Sequence, residues 1–302
     1  KKVLLISNGH GEDLLGGVLA KGLKDMAKDI DILAFPVVGS GEVYNRFPVE
    51  RVGVQKEMPS GGWVRQSWNA LKADLEAGFI QLTRAQWRAL KALGSGTTHT
   101  IAVGDIYALF LGYRFCTKPL VFVPTAKSDH IREHLSIEKY LMKKHCELVL
   151  PRDGRTAESL FAQGVPAEYA GNLMMDAIFP SGADFPALGG GPVIGILPGS
   201  REEAYQNMAG LSTAMSVIAQ DQGDVSFAVA MAGNLSLEQA EKLLIALGWE
   251  GSGKASFHDE TRERVLVNGN TKLLLAHGRF GDILMQSKVC IGLAGTANEQ
   301  AA

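Results

Sequence analysis

The fold of this chain is decided by the stretch Ile194-Gly195-Ile196-Leu197-Pro198-Gly199-Ser200-Arg201-Glu202-Glu203. Its apolar half is typical of a buried parallel strand, and a helix is expected to begin just after Ser200. The first turn of a helix carries unpaired backbone N–H groups and the positive end of the helix dipole, which together favour an anion. The guanidinium of Arg201 adds a planar fork of donors that suits a diphosphate. The alternative is a plain strand-to-helix turn whose arginine pairs with a surface carboxylate.

The rest of the chain repeats this alternation of strand and helix. Short runs rich in Val, Ile and Leu alternate with helical stretches, a pattern typical of parallel sheets covered on both faces. We predict strands over residues 2–7, 31–35, 100–104, 120–123, 148–151, 193–197, 227–231, 272–275 and 289–293. The glycine-rich stretch 180–192 is typical of a connection between domains. We therefore expect an α/β protein with a first Rossmann-like domain over residues 1–172, a second over 173–302, and a cleft between them.

Composition narrows the class of protein. A chain of 302 residues with 46% hydrophobic and 21% charged residues is typical of a soluble protein of two domains. The net charge of -2 gives no overall field that would attract nucleic acid. Three cysteines without metal or disulfide spacing favour a reducing cytoplasm, and no apolar run reaches the length of a membrane span. The chain starts without Met and stops inside an expected helix, so we expect sequence to be missing at both ends.

The loop after the first strand, residues 9–17, partly matches a dinucleotide-binding fingerprint. Leu14 stands where the third glycine of that fingerprint belongs. Glu12 and Asp13 would repel a diphosphate at this helix start, although they suit the helix dipole. We therefore expect Gly11, Glu12 and Asp13 to face sugar hydroxyls. A purely structural turn and helix cap is the alternative.

Asp105 directly follows the predicted strand 100–104. Ligands of parallel sheets bind beyond the carboxyl ends of the strands, so this carboxylate is placed to meet a substrate. A carboxylate within hydrogen-bond reach of a sugar hydroxyl can remove its proton. The alternative is that Asp105 only caps the helix that follows.

A second connection from a strand to a helix, like the one at Gly199 and Ser200, lies at the end of the chain. We call these two connections the strand-to-helix joints. Gly295 and Thr296 leave room for a second phosphate, and Glu299 or Gln300 in the first helical turn is placed to bind ribose hydroxyls. If the strand order is regular, this joint lies beside Ser200 in the sheet.

The stretch 277–282 precedes a further helix and is a candidate for binding a base through backbone groups, with the alternative of a turn that holds a satisfied histidine. We expect no metal site. Asp29 and Asp31 come before a strand rather than after one, and no two histidines have the helical spacing of a zinc site.

The segment from Met58 to Leu93 is a candidate membrane-binding region. It contains tryptophans and a basic helical face, namely Trp63, Trp68, Phe79 and Trp87 with Arg84, Arg88 and Lys91. A basic amphipathic helix with tryptophans suits a membrane interface or a lipid acceptor. The alternative is a set of packed helices with a solvated basic face.

Motifs in this order resemble those of one enzyme family. They are Gly11-Glu12-Asp13, Val103-Gly104-Asp105, Gly171-Asn172 with Asp176-Ala177-Ile178, Leu197-Pro198-Gly199-Ser200-Arg201, and Gly295-Thr296-Ala297. Over nearly its whole length the chain resembles the lipid-A-disaccharide synthases, and more closely their synthase-related relatives of cyanobacterial type. The resemblance implies a GT-B fold, with a UDP-sugar bound mainly by the second domain and a lipid-linked acceptor bound by the first.

The resemblance also implies roles for particular residues. Asp105 is the candidate general base of an inverting, metal-independent transfer, with Glu12 and Asp13 as further catalytic candidates. The implied substrate-binding residues are Gly11, Asn172, Gly199, Ser200, Arg201, Phe280, Gly295, Thr296, Glu299 and Gln300. Among them, Ser200 and Arg201 hold the diphosphate, Thr296 assists, and the loop at Phe280 receives uracil.

The implied reaction in its simplest form joins UDP-2,3-diacylglucosamine to a 2,3-diacylglucosamine phosphate, with no cofactor beyond the UDP-sugar. The implied location is the cytoplasmic face of the inner membrane, and a homodimer is left open. The chain departs from the synthases at Gln300, where they have the glutamate of Gly-Thr-x-x-x-Glu, with Glu299 one position earlier. A UDP-N-acetylglucosamine 2-epimerase of the same fold, or a catalytically silent protein that binds nucleotide sugars, are the alternatives.

Overall fold

A computed structural model describes residues 1–56, 72, 75–116, 119–200, 202–251, 263–293 and 295–302. Arg201, Trp63 and Trp68 lie outside the described residues. The chain divides into two compact units, Lys1–Ala177 and Ile178–Ala302. We predicted the boundary between the domains after residue 172.

The first unit is built on a parallel sheet. Its strands are β1 (Lys2–Ser7), β2 (Asp31–Pro36), β3 (Glu50–Arg51), β4 (His99–Gly104), β5 (Leu120–Pro124) and β6 (Leu148–Val149). They lie in the order β3-β2-β1-β4-β5-β6, and neighbouring strands run parallel. The sequence did not predict β3, because a pair of exposed residues carries no hydrophobic periodicity.

Helices cover both faces of this sheet. They are α1 (His10–Met26), α2 (Phe79–Gly94), α3 (Ile106–Phe115), α4 (Ser136–His145), α5 (Gly154–Ala162) and α6 (Leu173–Asp176), with a 3-10 turn at Glu42–Arg46. Residues of β1 alternate between the two faces. Leu5 packs in the same cluster as Leu15 of α1, whereas Leu4 packs with Leu90 of α2 and Leu111 of α3. This alternation of buried side chains produces the doubly wound arrangement.

The second unit has a mixed sheet. Its strands are β7 (Val193–Leu197), β8 (Ser226–Met231), β9 (Glu250–Gly251), β10 (Glu263–Asn268), β11 (Thr271–His277) and β12 (Ser287–Gly292), in the order β12-β7-β8-β11-β10-β9. The run from β12 to β11 is parallel, as predicted, whereas β10 is antiparallel to both of its neighbours. The β10–β11 hairpin was missed, although its two turn residues, Gly269 and Asn270, are a recognised hairpin-turn signal.

The helices of the second unit are α7 (Glu203–Gln222), α8 (Leu237–Ala246), α9 (Phe280–Gln286) and α10 (Thr296–Ala301), with a 3-10 turn at Pro186–Leu188. Met208 of α7 and Leu244 of α8 pack in one cluster with the sheet, and Ile283 of α9 packs in another. Two Rossmann-like α/β domains are therefore present, and the predicted fold class is confirmed. None of the helices that the structure describes is long and apolar enough to cross a bilayer.

Candidate functional site

Asn8 and Asp105 meet at the carboxyl edge of the sheet in the first unit. They follow β1 and β4, which are neighbours in that sheet. The Asn8 Nδ2 donates to Asp105 Oδ1 at 2.5 Å, and the backbone N–H of Asp105 donates to Asn8 Oδ1 at 3.3 Å. Gly104 has a φ of 141°, and a Cβ there would overlap the Asn8 side chain. Only glycine at position 104 therefore leaves room for the hydrogen bonds between Asn8 and Asp105.

The two oxygens of the Asp105 carboxylate differ in their hydrogen bonding. Oδ1 accepts a hydrogen bond from the backbone N–H of Tyr107 at 2.8 Å and caps α3, as the structural alternative predicted. Oδ2 has no hydrogen-bond partner among the described residues, and the side chain is exposed. One oxygen therefore fixes the carboxylate, and the other is available to a substrate.

Glu12 lies in the first turn of α1 and is half-buried. Its Oε1 accepts a hydrogen bond at 3.0 Å from the hydroxyl of Thr125, which directly follows β5. Gly11 beside it is exposed. The structure does not test whether this loop contacts sugar hydroxyls, so that contact stays a prediction.

Asp13 faces the core. Its side chain is fully buried, and Oδ1 accepts a hydrogen bond from Ser7 Oγ at 2.5 Å. Ser7 Oγ also lies 2.7 Å from the Tyr44 hydroxyl. Burial raises the pKa of Asp13 to about 7, the Ser7 hydrogen bond lowers it, and the charge of Glu12 raises it. The expectation that Asp13 faces sugar hydroxyls is thus corrected, because burial and the hydrogen bond to Ser7 hold its carboxylate in the core.

A charged cluster beside Asp105 was not found from the sequence. Lys127 Nζ lies 2.6 Å from both carboxylate oxygens of Glu138, and His134 Nδ1 lies 3.1 Å from Glu138 Oε2. Burial lowers the pKa of His134, although Glu138 opposes this shift. Burial also raises the pKa of Glu138, but hydrogen bonds from Lys127 and the Leu135 backbone bring it below its ordinary value. With Asp105 the cluster lines a cavity of about 20 Å³, room for one water.

The second unit places its two predicted joints side by side. Strands β7 and β12 are neighbours, with Leu197 paired to Gly292. Gly199 and Ser200 follow β7 and lead to α7, and Gly295 follows β12 and leads to α10. The expectation that the two joints are adjacent in the sheet is confirmed. The roles of these residues in binding a diphosphate remain predictions, as does that of Arg201.

Asparagine side chains hold the backbone of these joints. Asn207 Nδ2 donates to the carbonyl of Pro198 at 2.9 Å, and Asn234 Nδ2 donates to the carbonyl of Ser200 at 3.1 Å. On the neighbouring strand, Asn298 Nδ2 donates to the carbonyl of Gly292 at 3.1 Å. Sequence reasoning did not single out these asparagines, because each bonds to a backbone carbonyl that no motif encodes. Their effect is to fix the path of the chain where an anion is expected.

The first turn of α10 contains the remaining predicted ribose contacts. Glu299 is exposed and Gln300 is half-buried. Thr296 is the first residue of the helix, but its side chain lies outside what the structure describes. Contacts between these residues and a nucleotide stay predictions.

Hydrogen bonds within the second unit hold the turn at the predicted uracil-binding loop. The buried carboxylate of Asp282 accepts from the backbone N–H groups of Ser181 and Gly182 at 2.7 and 2.9 Å. His277 Nε2 lies 2.8 Å from the Leu235 carbonyl, as expected for the alternative of a satisfied histidine. Phe280 is half-buried at the start of α9, so its contact with a base stays a prediction. Within the described residues no group of three His, Cys, Asp or Glu side chains could hold a metal ion.

Comparison with solved structures identifies the fold. The chain is similar to a provisionally assigned UDP-N-acetylglucosamine 2-epimerase from Listeria monocytogenes, with a TM-score of 0.62 and 15% identity over 99% of this chain and 76% of that one. It is also similar to UDP-GlcNAc 2-epimerase from Neisseria meningitidis bound to UDP-GlcNAc, with a TM-score of 0.55 and 12% identity over 100% and 80%.

A third similar structure is CalG4, the calicheamicin glycosyltransferase, with a TM-score of 0.54 and 13% identity over 100% of this chain and 77% of that one. No protein-family model and no curated protein sequence matches the chain. At these identities the likeness establishes architecture and not activity. The protein has the GT-B fold, which it shares with enzymes that act on UDP-sugars.

Proposed function

We propose that this protein is a glycosyltransferase that moves a sugar from a UDP-sugar to a lipid-linked acceptor, as in lipid-A-disaccharide synthesis. The observation that carries the proposal is the Asp105 carboxylate, with one oxygen fixed and the other exposed. An inverting transfer needs one base on the acceptor side, and a fixed carboxylate meets that need.

The proposed reaction is a direct displacement. Asp105 Oδ2 takes the proton of the acceptor hydroxyl while the hydroxyl oxygen bonds to the anomeric carbon of the donor. The bond from that carbon to the distal phosphate oxygen breaks, and its electron pair stays on UDP. Backbone N–H groups after Gly199 and Gly295, with the guanidinium of Arg201, stabilise the negative charge that develops on UDP. This route requires no metal ion.

The lipid part of the proposal is supported by the exposed face of α2. Arg84, Arg88 and Lys91 are exposed there. Trp87 is 37% exposed, and its ring packs 5.4 Å from that of Phe115. Each basic residue near an anionic surface contributes about 1 kcal/mol of attraction. We therefore propose reversible attachment to anionic membranes through this face.

Charge reversal of the three basic residues of α2 to glutamate is expected to release the protein from anionic liposomes at low salt and to leave UDP affinity unchanged. Co-sedimentation at low and high salt measures the effect. Reversal of three lysines on α1 and just after it, Lys21, Lys24 and Lys28, is the control matched in charge. If the α2 reversals leave liposome binding unchanged, the three basic residues belong to an ordinary solvated helix face.

A 2-epimerase is the second candidate, favoured by the presence of Glu12 and Asp105 at one sheet edge. Such an enzyme removes and returns a proton at carbon and therefore uses more than one acid–base group. A panel of UDP-sugars, incubated with and without N-acylglucosamine acceptors, separates the candidates. Glycosyl transfer predicts UDP release that depends on the acceptor. An isomeric UDP-sugar formed without an acceptor identifies an epimerase, and UDP binding without either product identifies a silent binding protein.

A further inference from the structure

The small cavity beside Asp105 has four titratable side chains in its wall. They are Asp105, Lys127, His134 and Glu138, and the other residues that line it carry no polar side-chain group. Its volume of about 20 Å³ is enough for one water molecule, which needs at least two polar partners there. Whether a water belongs in this cavity therefore depends on which polar groups of the wall still lack a hydrogen bond.

His134 has one bonded and one unbonded ring nitrogen, and only 4% of its side chain is exposed. Nδ1 lies 3.1 Å from Glu138 Oε2. Although burial raises the pKa of Glu138, its hydrogen bonds bring it below its ordinary value, so the carboxylate is ionised and Nδ1–H is the donor. Burial lowers the pKa of His134, so the ring is neutral near pH 7. Nε2 is therefore an acceptor, and it is buried without a partner among the described residues.

Lys127 and Asp105 supply the other groups that a water needs. Lys127 Nζ donates to both carboxylate oxygens of Glu138, which leaves a third N–H of the ammonium for another acceptor. Asp105 Oδ2 has no partner among the described residues, because the bonds from Asn8 and Tyr107 both go to Oδ1. The wall thus offers two acceptors and one donor. A single water satisfies all three, since it donates two hydrogen bonds and accepts the third.

We infer that one water in this cavity links His134 Nε2 to Asp105 Oδ2, and that His134 is a positioning residue for the base. The water donates one hydrogen bond to each of these atoms and accepts one from Lys127 Nζ. It holds the oxygen that Asn8 and Tyr107 leave unbonded, so the carboxylate keeps one orientation when an acceptor hydroxyl arrives. The catalytic role of His134 rests on the proposed function, whereas the water site does not.

A crystal structure at high resolution tests the water site without any measurement of activity. We expect one ordered water within about 3.2 Å of both His134 Nε2 and Asp105 Oδ2. A cavity without this water, or a water that contacts only one of the two atoms, would overturn the inference.

Two substitutions of His134 separate the effects of its two ring nitrogens. Asparagine places its amide near the position of Nδ1, so it keeps the bond to Glu138 but leaves no acceptor at the cavity. Glutamine places its amide near the position of Nε2 and restores an acceptor there. His134→Asn is expected to lower kcat about twofold to tenfold, the range of one hydrogen bond, with acceptor KM and UDP affinity unchanged. His134→Gln is expected to keep kcat near the wild-type value.

A purely structural role of His134 predicts the opposite order, because only asparagine keeps the bond to Glu138. A lower kcat for His134→Gln than for His134→Asn, or equal values for both, would overturn the positioning role. His130→Asn, at an exposed position that faces Asp153, is the control and is expected to keep the wild-type kcat. If His134→Asn does not fold, the crystal structure of the wild type still decides whether the water is present.

The outcome is separable from that of the proposed function. A water that bridges His134 and Asp105 in a protein without glycosyl transfer would support the water site and reject the transferase. Transfer with the wild-type kcat in His134→Asn would keep the transferase and reject the role of His134.

Discussion

The two units place different chemistry at the same edge of similar sheets. In the first unit, strands end in side chains that bond to one another, as Asn8 does to Asp105 and Thr125 does to Glu12. In the second unit, strands end in glycine turns whose carbonyls accept bonds from asparagine amides, as Ser200 does from Asn234. The first edge therefore presents two carboxylates held by polar side chains, and the second presents the backbone.

This difference matches two chemical tasks. Proton transfer requires a group whose charge can change, which only a side chain provides. Binding of an anion requires N–H groups aimed at one point, which a fixed turn and a helix start provide. We therefore expect substitutions in the first unit to affect turnover and substitutions in the second to affect nucleotide affinity.

Asp105→Asn is expected to give the largest effect. The amide retains the bonds that cap α3 but does not accept a proton, so kcat is expected to fall by about 10² to 10⁴. Steady-state kinetics with the acceptor measures it. Asp153→Asn is the matched control, because Asp153 caps α5 in the same way and lies outside the proposed site. Near-normal turnover of Asp105→Asn would exclude it as the base.

Asp13→Asn is expected to change the pH dependence of stability. Because burial raises the pKa of Asp13 from 3.8 to about 7, the folded state retains a proton that the unfolded state loses between these values. The free energy of unfolding therefore falls as pH rises through this window, by up to about 4 kcal/mol, and is level above it.

Denaturant unfolding from pH 4 to pH 8 measures the difference between wild type and Asp13→Asn. The asparagine variant is expected to gain stability relative to wild type as pH rises, since it buries no charge. Asp25→Asn, at an exposed position of α1, is the control. A constant difference between wild type and Asp13→Asn would show that Asp13 keeps the same charge across the window.

Arg201→Lys is expected to weaken UDP binding by about 1.5 to 3 kcal/mol, because lysine retains the charge but loses the planar fork. The prediction rests on the sequence alone. Titration calorimetry with UDP measures the change, with Arg155→Lys on the exposed surface of the first unit as control. Unchanged affinity would remove Arg201 from the diphosphate site.

Asn234→Ala is expected to have the smallest effect. Removing its bond to the Ser200 carbonyl loosens the turn and weakens UDP binding by about 0.5 to 1.5 kcal/mol. Asn45→Ala, exposed in the first unit, serves as control. Equal UDP affinity of the two variants would show that the turn needs no support from Asn234.

The sequence predicted most of the fold, because central strands such as β1 are buried on both faces and rich in apolar residues. Strands β3 and β9 are short and exposed, so they carry no such pattern. The position of Asp105 and the adjacency of the two joints in the second unit followed from the order of strands and helices.

Other parts of the site depend on contacts that a sequence does not encode. Asn8 and Asp105 are distant in the chain, and the partner of Asn234 is a carbonyl, which every residue has. Asp13 was grouped with Glu12 because the two are neighbours in sequence. Successive side chains of a helix point about 100° apart, so one faces the sheet edge and the other the core.

The central claim is that the first unit supplies the base and the second binds the nucleotide. Titration of UDP into wild type, Asp105→Asn and Asn234→Ala, paired with kcat at saturating donor, tests it most directly. We predict wild-type UDP affinity with a strongly reduced kcat for Asp105→Asn, and weaker UDP affinity with a retained kcat for Asn234→Ala. The reverse pattern, with UDP affinity lost in Asp105→Asn and unchanged in Asn234→Ala, would contradict this division between the two units.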